Sequence, residues 1–406
     1  MTNTDPHAVS PRELKSHDPA LQGSSSTAQL ISPRLNICFI AQNAYGALAG
    51  GDTGYRQVGG VQNQTALMAR WLVARGHNVS VITWNEGQEK EVVKDGVRII
   101  SMCSPRAGFP VMRFFHPRLT SLFSAMKLAG ADIYLHNAAE AVTGLAAAWC
   151  KWQNCKYIYS VAHDIACDIK LPLMTRWLDK HLYRYGVKHA DLRIVQTERQ
   201  QSLLRTGFLV DALHLPMPSP SRKSHGKHEL SADNPRILWV GRIAPIKRLE
   251  WLLDVAEALS DLTFEVVGAN GTTPYARELE QRARNLPNVV WTGTVPPHEM
   301  TDVYERCHCL CCTSVSEGFP NTFLEAWAHG LPVISSFDPD GTIDRLRLGL
   351  TGSSPASLQK AIAQLRESPS DFQKMGQNGK RYFEEHHELD RAMSAFEGAF
   401  LNLQHS

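Results

Sequence analysis

Residues able to hold a charged ligand gather in the second half of the chain, in two stretches that each follow an apolar run. The first is Gly241-Arg242-Ile243-Ala244-Pro245-Ile246-Lys247, whose two cations stand on either side of a turn. Arg is a flat bidentate donor and Lys a compact charge, so Arg242 and Lys247 could hold one diphosphate. Two solvated loop cations are the alternative interpretation. The second stretch, from Ser316 to Pro332, contains two acids, Glu317 and Glu325.

The second stretch is typical of a loop that turns into a helix. Pro320 suits a first helical turn because its φ is fixed and it lacks an N–H, and Gly330 is a natural stop. Glu317 then lies in the strand-to-helix loop, while Thr322 and Glu325 share one face of the helix. Loops at the carboxyl ends of parallel strands are where open α/β sheets bind ligands.

Two features of the first half could also contact a ligand. Gly59-Gly60 precede a predicted helix at 61–75, where a close backbone and free N–H groups could receive a phosphate or a sugar hydroxyl. Their sequence is not the dinucleotide fingerprint G-x-G-x-x-G, which argues against a nicotinamide dehydrogenase. His163 ends a predicted strand and could donate or accept a proton. A structural hydrogen bond is the alternative for it, as it is for His136.

Strands and helices alternate along the chain, which is typical of a doubly wound parallel sheet. In the first half the predicted strands are 36–44, 79–84, 97–102, 132–136, 157–163 and 192–197. In the second half they are 236–240, 264–267, 289–292 and 309–312, with another beginning at Pro332. The expected fold class is therefore α/β, with two Rossmann-like domains facing each other across a cleft.

Shifts in composition set the expected domain boundaries. Residues 1–33 are polar and rich in Ser, Pro and His, and we expect a disordered tail there. The first domain is expected at 34–215, a Pro-rich linker at 216–235 and the second domain at 236–385. Residues 386–406 are expected to form a C-terminal helix that packs back on the first domain.

The overall composition excludes several classes of protein. The chain has 406 residues, of which 43% are apolar and 20% charged, and its formal net charge is +2. A dedicated nucleic-acid binder would normally carry a concentrated basic field. The sequence shows no apolar run of membrane-spanning length and no secretory signal. We expect a cytoplasmic protein, with or without peripheral contact with the inner face of a membrane.

Nine cysteines raise the question of metal binding. Four of them are closely spaced, at Cys307, Cys309, Cys311 and Cys312. On an extended strand alternate side chains point to opposite faces, so these four sulfurs cannot converge on one ion. Paired Cys-x-x-Cys spacing is also missing from the sequence. Buried strand residues are the favoured interpretation, and no metal site is expected.

Taken together, the motifs resemble the retaining glycosyltransferases of family 4, which adopt the GT-B architecture of two facing Rossmann-like domains. Three elements match in order and spacing: Gly-Arg-x-x-x-x-Lys at 241–247, Gly293-Thr294-Val295, and the two glutamates within SEGFPNTFLEAWAHGLPV at 316–333. The resemblance runs from about Asn36 to the C terminus and is most specific in the second domain.

The resemblance implies that the second domain binds a nucleotide-sugar donor, a UDP- or GDP-sugar. Arg242 and Lys247 would hold the diphosphate, Glu317 would bind hydroxyls of the transferred sugar, and Glu325 would contact the ribose. His163 would lie near that sugar, so the expected catalytic residues are Glu317, His163, Arg242 and Lys247. Further residues implied to line the donor site are Gly59, Gly60, Val295, Gly318, Phe319, Pro320, Asn321 and Thr322.

The implied reaction moves a hexose to a hydroxyl of a glycan, lipid-linked or other acceptor, with retention at the anomeric carbon. No carboxylate stands out as a nucleophile, which favours front-face attack assisted by the leaving phosphate. No Asp-x-Asp motif is predicted at a strand end, so transfer without a metal ion or other cofactor is expected. Gln62 stands where many relatives carry an acid, and Asp338-Pro339-Asp340-Gly341 replaces their glycine-rich turn.

The acceptor and the activity itself leave alternatives open. Segment 105–127 interleaves cations with aromatic residues and forms either a basic amphipathic surface that contacts a membrane or, as we favour, a core-facing helix with solvated cations. A sugar-nucleotide epimerase of the same architecture would also bind a nucleotide diphosphate. A non-catalytic protein that binds nucleotide-sugars or glycans is the other alternative.

Overall fold

The computed structural model of the chain describes residues 33–50, 59–109, 114–221, 235–268 and 273–405. The expected tail, apart from Pro33, and most of the expected linker lie outside the described residues. From Arg34 onward the chain forms one compact unit built around two sheets.

The first domain is built around an eight-stranded sheet. Its strands are β1 (Asn36–Ile40), β2 (Asn78–Thr83), β3 (Glu91–Lys94), β4 (Val97–Ser101), β5 (Ile133–His136), β6 (Lys156–Ser160), β7 (Leu192–Val195) and β8 (Leu213–His214). Their order in the sheet is β3-β4-β2-β1-β5-β6-β7-β8. All neighbouring strands are parallel except β3 and β4, which are antiparallel.

Helices cover both faces of this sheet. They are α1 (Tyr45–Ala49), α2 (Gly60–Ala74), α3 (Thr120–Ala129), α4 (Ala141–Gln153), α5 (Trp177–His189) and α6 (Glu198–Leu203). Helices α4 and α5 approach so closely that a Cβ on Gly144 would lie 2.0 Å from the Leu182 carbonyl oxygen. Only glycine fits this contact, which fixes the position of α5 on the sheet.

The second domain is built around a six-stranded sheet in which all neighbouring strands are parallel. Its strands are β9 (Arg236–Val240), β10 (Thr263–Val267), β11 (Val289–Gly293), β12 (Cys309–Cys312), β13 (Val333–Ser335) and β14 (Gly349–Thr351). Their order is β11-β10-β9-β12-β13-β14. The prediction of two doubly wound parallel sheets is confirmed.

The helices of the second half complete this domain and return to the first. They are α7 (Leu249–Ala258), α8 (Pro274–Arg284), α9 (Met300–Glu305), α10 (Asn321–Ala328), α11 (Thr342–Leu346), α12 (Pro355–Glu367), α13 (Pro369–His386) and α14 (Leu389–His405). Met393 and Phe396 of α14 are buried in the core of the first domain. Trp71 Nε1 also donates to Asp390 at 2.6 Å, so α14 is fastened to α2.

Several predicted boundaries were wrong, and each error has a physical reason. The strand expected at 36–44 ends at Ile40, and the one expected at 157–163 ends at Ser160, because apolar residues such as Ala41, Val161 and Ala162 continue the apolar pattern past the end of the sheet. The short strands β3, β8 and β14 were missed. The polar, largely exposed sequence of β3 shows that an edge strand needs no apolar alternation.

The closely spaced cysteines are buried residues of the second domain. Cys309 and Cys311 belong to the apolar cluster on one face of the sheet, whereas Cys307 and Cys312 belong to the cluster on the other. Within the strand, Cys312 thus faces away from Cys309 and Cys311, as the alternation of a strand requires, whereas Cys307 precedes the strand. None of the described helices is long and apolar enough to cross a membrane.

Candidate functional site

The strand order of the second domain places two predicted ligand loops side by side. Strand β9 lies between β10 and β12, so the order of the strands in the sheet reverses at β9. The crevice at such a switch point is the usual ligand site of a doubly wound sheet. The loop after β9 carries Arg242 and Lys247, and the loop after β12 carries Glu317.

Lys247 and Glu317 form a hydrogen-bonded ion pair between Nζ and Oε1. Both side chains are mostly buried, with exposed fractions of 23% and 10%. The Thr313 hydroxyl donates to the Lys247 carbonyl at 2.6 Å, which fixes the backbone of Lys247 to the end of β12. The residue expected to bind diphosphate and the residue expected to bind sugar therefore contact each other directly.

Arg248 is a residue of the site that the sequence analysis missed. Its Nε and Nη2 donate to the carbonyls of Thr313 and Ser314 at 3.0 and 3.1 Å. The guanidinium carbon lies 3.8 Å from the centre of the Trp251 ring, a cation–π distance. Arg248 thus fastens the loop after β9 to the loop after β12. No sequence signal could have found it, because its partners are backbone carbonyls distant in the chain.

Arg242 presents a second cation at the same edge of the sheet. Its side chain is exposed directly after Gly241, and it has no ion-pair partner in the part of the chain that the structure describes. Together with Lys247 it leaves more positive than negative charge at the crevice. An anionic ligand could bind Arg242 without displacing a described carboxylate.

His163 reaches this charged crevice from the first domain. It follows β6 and starts a short turn at Asp164–Cys167. Displacement of water by the surrounding chain lowers the pKa of the imidazole, although the residue keeps an exposed surface. The nearby Glu317 carboxylate opposes this lowering of the pKa, and the positive charges of Lys247 and Arg242 add to it. The four residues expected to be catalytic thus lie within electrostatic reach of one another.

Gly318 fits into a slot on the first domain. A Cβ at this position would lie 2.6 Å from the Ala162 carbonyl oxygen, 2.9 Å from Gln196 Oε1 and 3.0 Å from Gln200 Nε2. The next residue, Phe319, donates its backbone N–H to Gln196 Oε1 at 3.1 Å. The loop that carries Glu317 is therefore held against the strand end that carries His163. Because Gln196 occupies the Phe319 N–H, that group is not free for phosphate in this arrangement.

Gln196 and Gln200 are further residues that the sequence analysis missed. Gln196 Nε2 donates to the Val161 carbonyl at 2.9 Å, and Gln200 Nε2 donates to Asp164 Oδ1 at 3.1 Å. Both glutamines are buried. The Gln196 amide links the His163 strand end to the Glu317 loop, and Gln200, in α6, holds Asp164 beside it. The residue type alone carries no signal of such a role.

Two helix starts face each other across the crevice. Helix α10 starts at Asn321 with Pro320 as its N-cap and ends at Ala328, so the expected start at Pro320 and end near Gly330 were each slightly wrong. Helix α2 starts at Gly60 with Gly59 as its N-cap. A Cβ on Gly60 would lie 2.8 Å from Asn321 Nδ2, which shows how close the two starts are. Neither start is capped by a side chain, which suits a bound anion.

Glu325 is oriented by a buried tyrosine. The Tyr304 hydroxyl donates to Glu325 Oε2 at 2.7 Å, and its ring stacks on His329 with centroids 4.9 Å apart. Val295 packs against the same apolar cluster as Tyr304, and Thr322 lies half-buried on the helix that carries Glu325. Tyr304 is thus a residue that orients Glu325 and that the sequence analysis missed.

The expectation that no Asp-x-Asp motif stands at a strand end was wrong, whereas the expectation of transfer without a metal ion stays a prediction. An Asp-x-Asp sequence, Asp338-Pro339-Asp340, does follow β13 closely. Asp338 accepts from the N–H groups of Ile343 and Asp344 at 2.8 and 3.0 Å, which caps α11. Asp340 accepts from the N–H groups at 198 and 199 at 2.7 and 3.0 Å, which caps α6 of the first domain. Both carboxylates thus serve as helix caps.

Among the described residues, no three His, Cys, Asp or Glu side chains are grouped so that they could hold a metal ion.

Two doubly wound domains with a charged crevice at their carboxyl edges define the chain as a GT-B-type protein. Sucrose-phosphate synthase from Thermosynechococcus elongatus has the same fold, with a TM-score of 0.74 over 90% of this chain and 98% of that one, at 18% identity. A family model for glycosyl transferases group 1 matches residues 234–368, and one for a glycosyl transferase 4-like domain matches 59–220. The chain belongs to this family of glycosyltransferases.

Curated relatives agree with this assignment. The sulfoquinovosyl transferase SQD2 of Arabidopsis thaliana is 25% identical over 366 residues, which are 83% of this chain and 69% of that protein. The GtfA subunit of the UDP-N-acetylglucosamine–peptide N-acetylglucosaminyltransferase of Streptococcus pneumoniae is 25% identical over 190 residues. That match spans 43% of this chain and only 36% of the GtfA subunit.

Proposed function

We propose that this chain is a retaining glycosyltransferase that moves a hexose from a UDP- or GDP-sugar to a hydroxyl of a glycan, lipid-linked or other acceptor. The observation that carries the proposal is the Lys247–Glu317 ion pair at the switch point of the second sheet. His163 approaches this pair from the first domain, so a sugar bound there would contact both domains.

The donor diphosphate would bind between Arg242, Lys247 and the start of α10. Breaking the glycosyl–phosphate bond builds negative charge on the leaving diphosphate. A charged hydrogen bond contributes about 1.5–3 kcal/mol, whereas a helix start contributes about 0.3–1 kcal/mol to an exposed anion. The two cations therefore outweigh the helix, and stabilisation that grows as the diphosphate departs accelerates the chemical step.

Binding of the donor would also give Lys247 and Glu317 different partners. The phosphate oxygens offer Lys247 a second anionic partner, which leaves lone pairs of Glu317 free to accept sugar hydroxyls. Glu325, oriented by Tyr304, would accept from the ribose beside Val295. The Gly59-Gly60 start of α2 would approach the phosphates from the other side of the crevice.

His163 would act as a neutral hydrogen-bonding group beside the transferred sugar. Its lowered pKa keeps the imidazole uncharged at neutral pH, so it adds no positive charge next to a sugar that becomes electron-poor. Front-face attack by the acceptor hydroxyl, assisted by the leaving phosphate, would give retention without a carboxylate nucleophile. Arg242 and Lys247 would neutralise the diphosphate in place of a metal ion.

The relatives support a nucleotide-sugar donor. The name of the GtfA subunit specifies UDP-N-acetylglucosamine as donor and a peptide as acceptor, and SQD2 is named for the transfer of a sulfonated sugar. Of these two names only that of the GtfA subunit specifies an acceptor, so they give no shared acceptor to propose for this chain.

Peripheral contact of segment 105–127 with a membrane stays a prediction. Arg113 and its neighbours at 110–113 lie outside the described residues. In the described part, Leu122 and Met126 of α3 are buried in the core, and Arg118 lies over the Trp84 ring. Phe109 and Phe115 are exposed, at 82% and 56%.

Thermal-shift screening against a panel of UDP-, GDP- and ADP-sugars tests the donor assignment. We expect one class to raise the melting temperature and Lys247→Ala to abolish most of that shift, because the diphosphate loses a cation. Lys360→Ala, on an exposed face of α12, is a matched control and should keep the shift. If none of these nucleotides stabilises the protein, the donor assignment is wrong.

Measurement of nucleotide release separates transfer from the two alternatives. A transferase consumes the donor only when acceptor is present and releases the free nucleotide. An epimerase would convert the donor without an acceptor, and a binding protein would leave it unchanged. A mixture of glycans and glycolipids can serve as the first acceptor pool.

A further inference from the structure

A basic and apolar surface lies on the first domain beside the candidate site. It consists of the loop after β6 and of α5, residues 169–188, and is called the α5 surface below. This segment contains five lysines and arginines and one acid, Asp179. The formal net charge of the whole chain is only +2, so more positive charge is concentrated here than the entire protein carries.

Four of these cations follow one side of α5. Arg176, Lys180, Arg184 and Lys188 are spaced four residues apart, which aligns them along a helix. None of them forms an ion pair with any carboxylate in the ranges that the structure describes. Lys180 Nζ and Arg184 Nη2 donate instead to the carbonyls of residues 170 and 169, at 2.9 and 2.7 Å. The row therefore presents uncompensated positive charge and braces the preceding loop.

Apolar side chains project from the end of this row. Leu173 is 75% exposed and Trp177 is 72% exposed, although both are large and hydrophobic. Ile169, in the same loop, is 36% exposed. Exposed apolar side chains beside cations match the boundary between lipid headgroups and acyl chains, where Trp is enriched and Lys and Arg reach the headgroups.

The same loop connects this surface to the candidate site. It begins at His163 and Asp164, and Asp164 and Ile169 both line a cavity of about 410 Å³. Arg199 and Leu203 of α6 also line the cavity, as does Ser316, the neighbour of Glu317. A molecule anchored at the α5 surface would thus have its free end within reach of the site.

We propose that the α5 surface docks on an anionic lipid bilayer and that a lipid-anchored acceptor reaches His163 through this cavity. The cations would adsorb to the negative headgroups, while Leu173 and Trp177 would insert beneath them. The charge complementarity and the exposed apolar tips select a bilayer over a soluble polyanion, which would contact cations alone. The role of the cavity rests on the proposed function, whereas the docking does not.

Vesicle flotation tests the docking with the full-length protein. We expect binding to vesicles of phosphatidylglycerol and phosphatidylcholine in equal parts, and none to phosphatidylcholine alone. Arg176→Glu/Lys188→Glu should weaken binding at least about tenfold, because each cation near an anionic surface contributes measurably. Leu173→Ser/Trp177→Ser should weaken it as well, even at low salt where the electrostatic attraction is strongest.

Two matched variants serve as controls. Lys360→Glu/Lys380→Glu reverses two exposed cations of α12 and α13 and should leave binding unchanged. Phe109→Ser/Phe115→Ser removes the exposed aromatics of segment 105–127 and should also leave it unchanged. Equal binding to neutral vesicles, loss of binding only in the Phe109/Phe115 variant, or binding to RNA without binding to vesicles would each overturn the proposal.

Parallel measurement of UDP- and GDP-sugar binding keeps this proposal separate from the proposed function. The α5-surface variants should keep the thermal shift given by the donor, because no substituted residue lies in the candidate donor site. Vesicle binding without any nucleotide-sugar binding would refute the proposed function and leave the docking standing. Donor binding without vesicle binding would refute the docking and leave the proposed function standing.

Discussion

Two ion-paired glutamates of the second domain, one within a strand and one in a loop that follows a strand, differ in how completely their carboxylates are hydrogen-bonded. Glu265 of β10 is fully buried and accepts from Arg236 Nη1 at 2.9 Å, from Arg306 Nε at 3.1 Å and from the Thr292 hydroxyl at 2.9 Å. Glu317 is nearly as buried, but its described ion-pair partner is Lys247 alone. The exposed Arg242 forms no ion pair with a described carboxylate.

This difference separates a structural cluster from a site poised for a ligand. Burial alone would raise the pKa of Glu265, yet hydrogen bonds from Arg306, Arg236 and Thr292 lower it. Every strong donor around that carboxylate is in use, at the amino ends of β9 and β12. At the carboxyl end of β9, the guanidinium of Arg242 forms no ion pair with a described carboxylate. A satisfied network contributes stability, and an unsatisfied one can bind.

Glu317→Ala should have the largest effect on activity. We expect transfer to fall below about one hundredth of the wild-type rate, because the sugar loses hydrogen bonds that strengthen in the transition state. Nucleotide binding should persist, since Arg242 and Lys247 remain. Calorimetry with the free nucleotide and a turnover assay with the nucleotide-sugar measure the two quantities. Loss of nucleotide affinity would contradict the sugar assignment.

Lys247→Ala should lower kcat/KM for the donor at least about tenfold, the loss that corresponds to one charged hydrogen bond. The fold should remain intact, because the lysine backbone is held by Thr313 rather than through the side chain. Steady-state kinetics measure the loss, and a urea melt checks the fold. Near-wild-type turnover in this variant would remove Lys247 from the diphosphate site and weaken the contrast with Glu265.

Arg306→Ala should act on stability instead of activity. The free energy of unfolding should fall by about 1–2 kcal/mol, at the lower end of the value for a charged hydrogen bond, because the Arg306 side chain is 43% exposed. Urea denaturation measures the change. The matched control Arg284→Ala breaks an exposed pair with Glu280 and should cost less than about 0.5 kcal/mol.

The smallest expected effect concerns the titration of His163. Because its pKa is lowered, the imidazole should stay neutral below the ordinary histidine value of about 6.5 and become charged only in more acidic solution. Removal of the nearby cation in Lys247→Ala should move this pKa upward. NMR titration of the imidazole in both proteins tests this. A downward shift in the variant would mean that His163 does not experience the charge of Lys247.

The sequence predicted the strands and loops that carry the site residues better than the contacts between those residues. Strands 236–240 and 309–312 were placed correctly because both are unbroken apolar runs between clear turns, and they fix where Lys247 and Glu317 emerge. The roles of Gln196 and Arg248 were out of reach, because both bind backbone atoms whose positions exist only after the two domains fold. The Asp338-Pro339-Asp340 caps were missed for the same reason.

The slot that receives Gly318 makes the chemistry conditional on the arrangement of the two domains. Lys247 and Glu317 belong to the second domain and His163 to the first, and the tight fit at Gly318, the Gln196 amide and the Asp340 cap of α6 hold the two domains in contact. A donor held by one domain alone would lack part of its reactive surroundings. The reaction would then require that both domains contact the donor at the same time. This requirement would limit hydrolysis of the nucleotide-sugar by water.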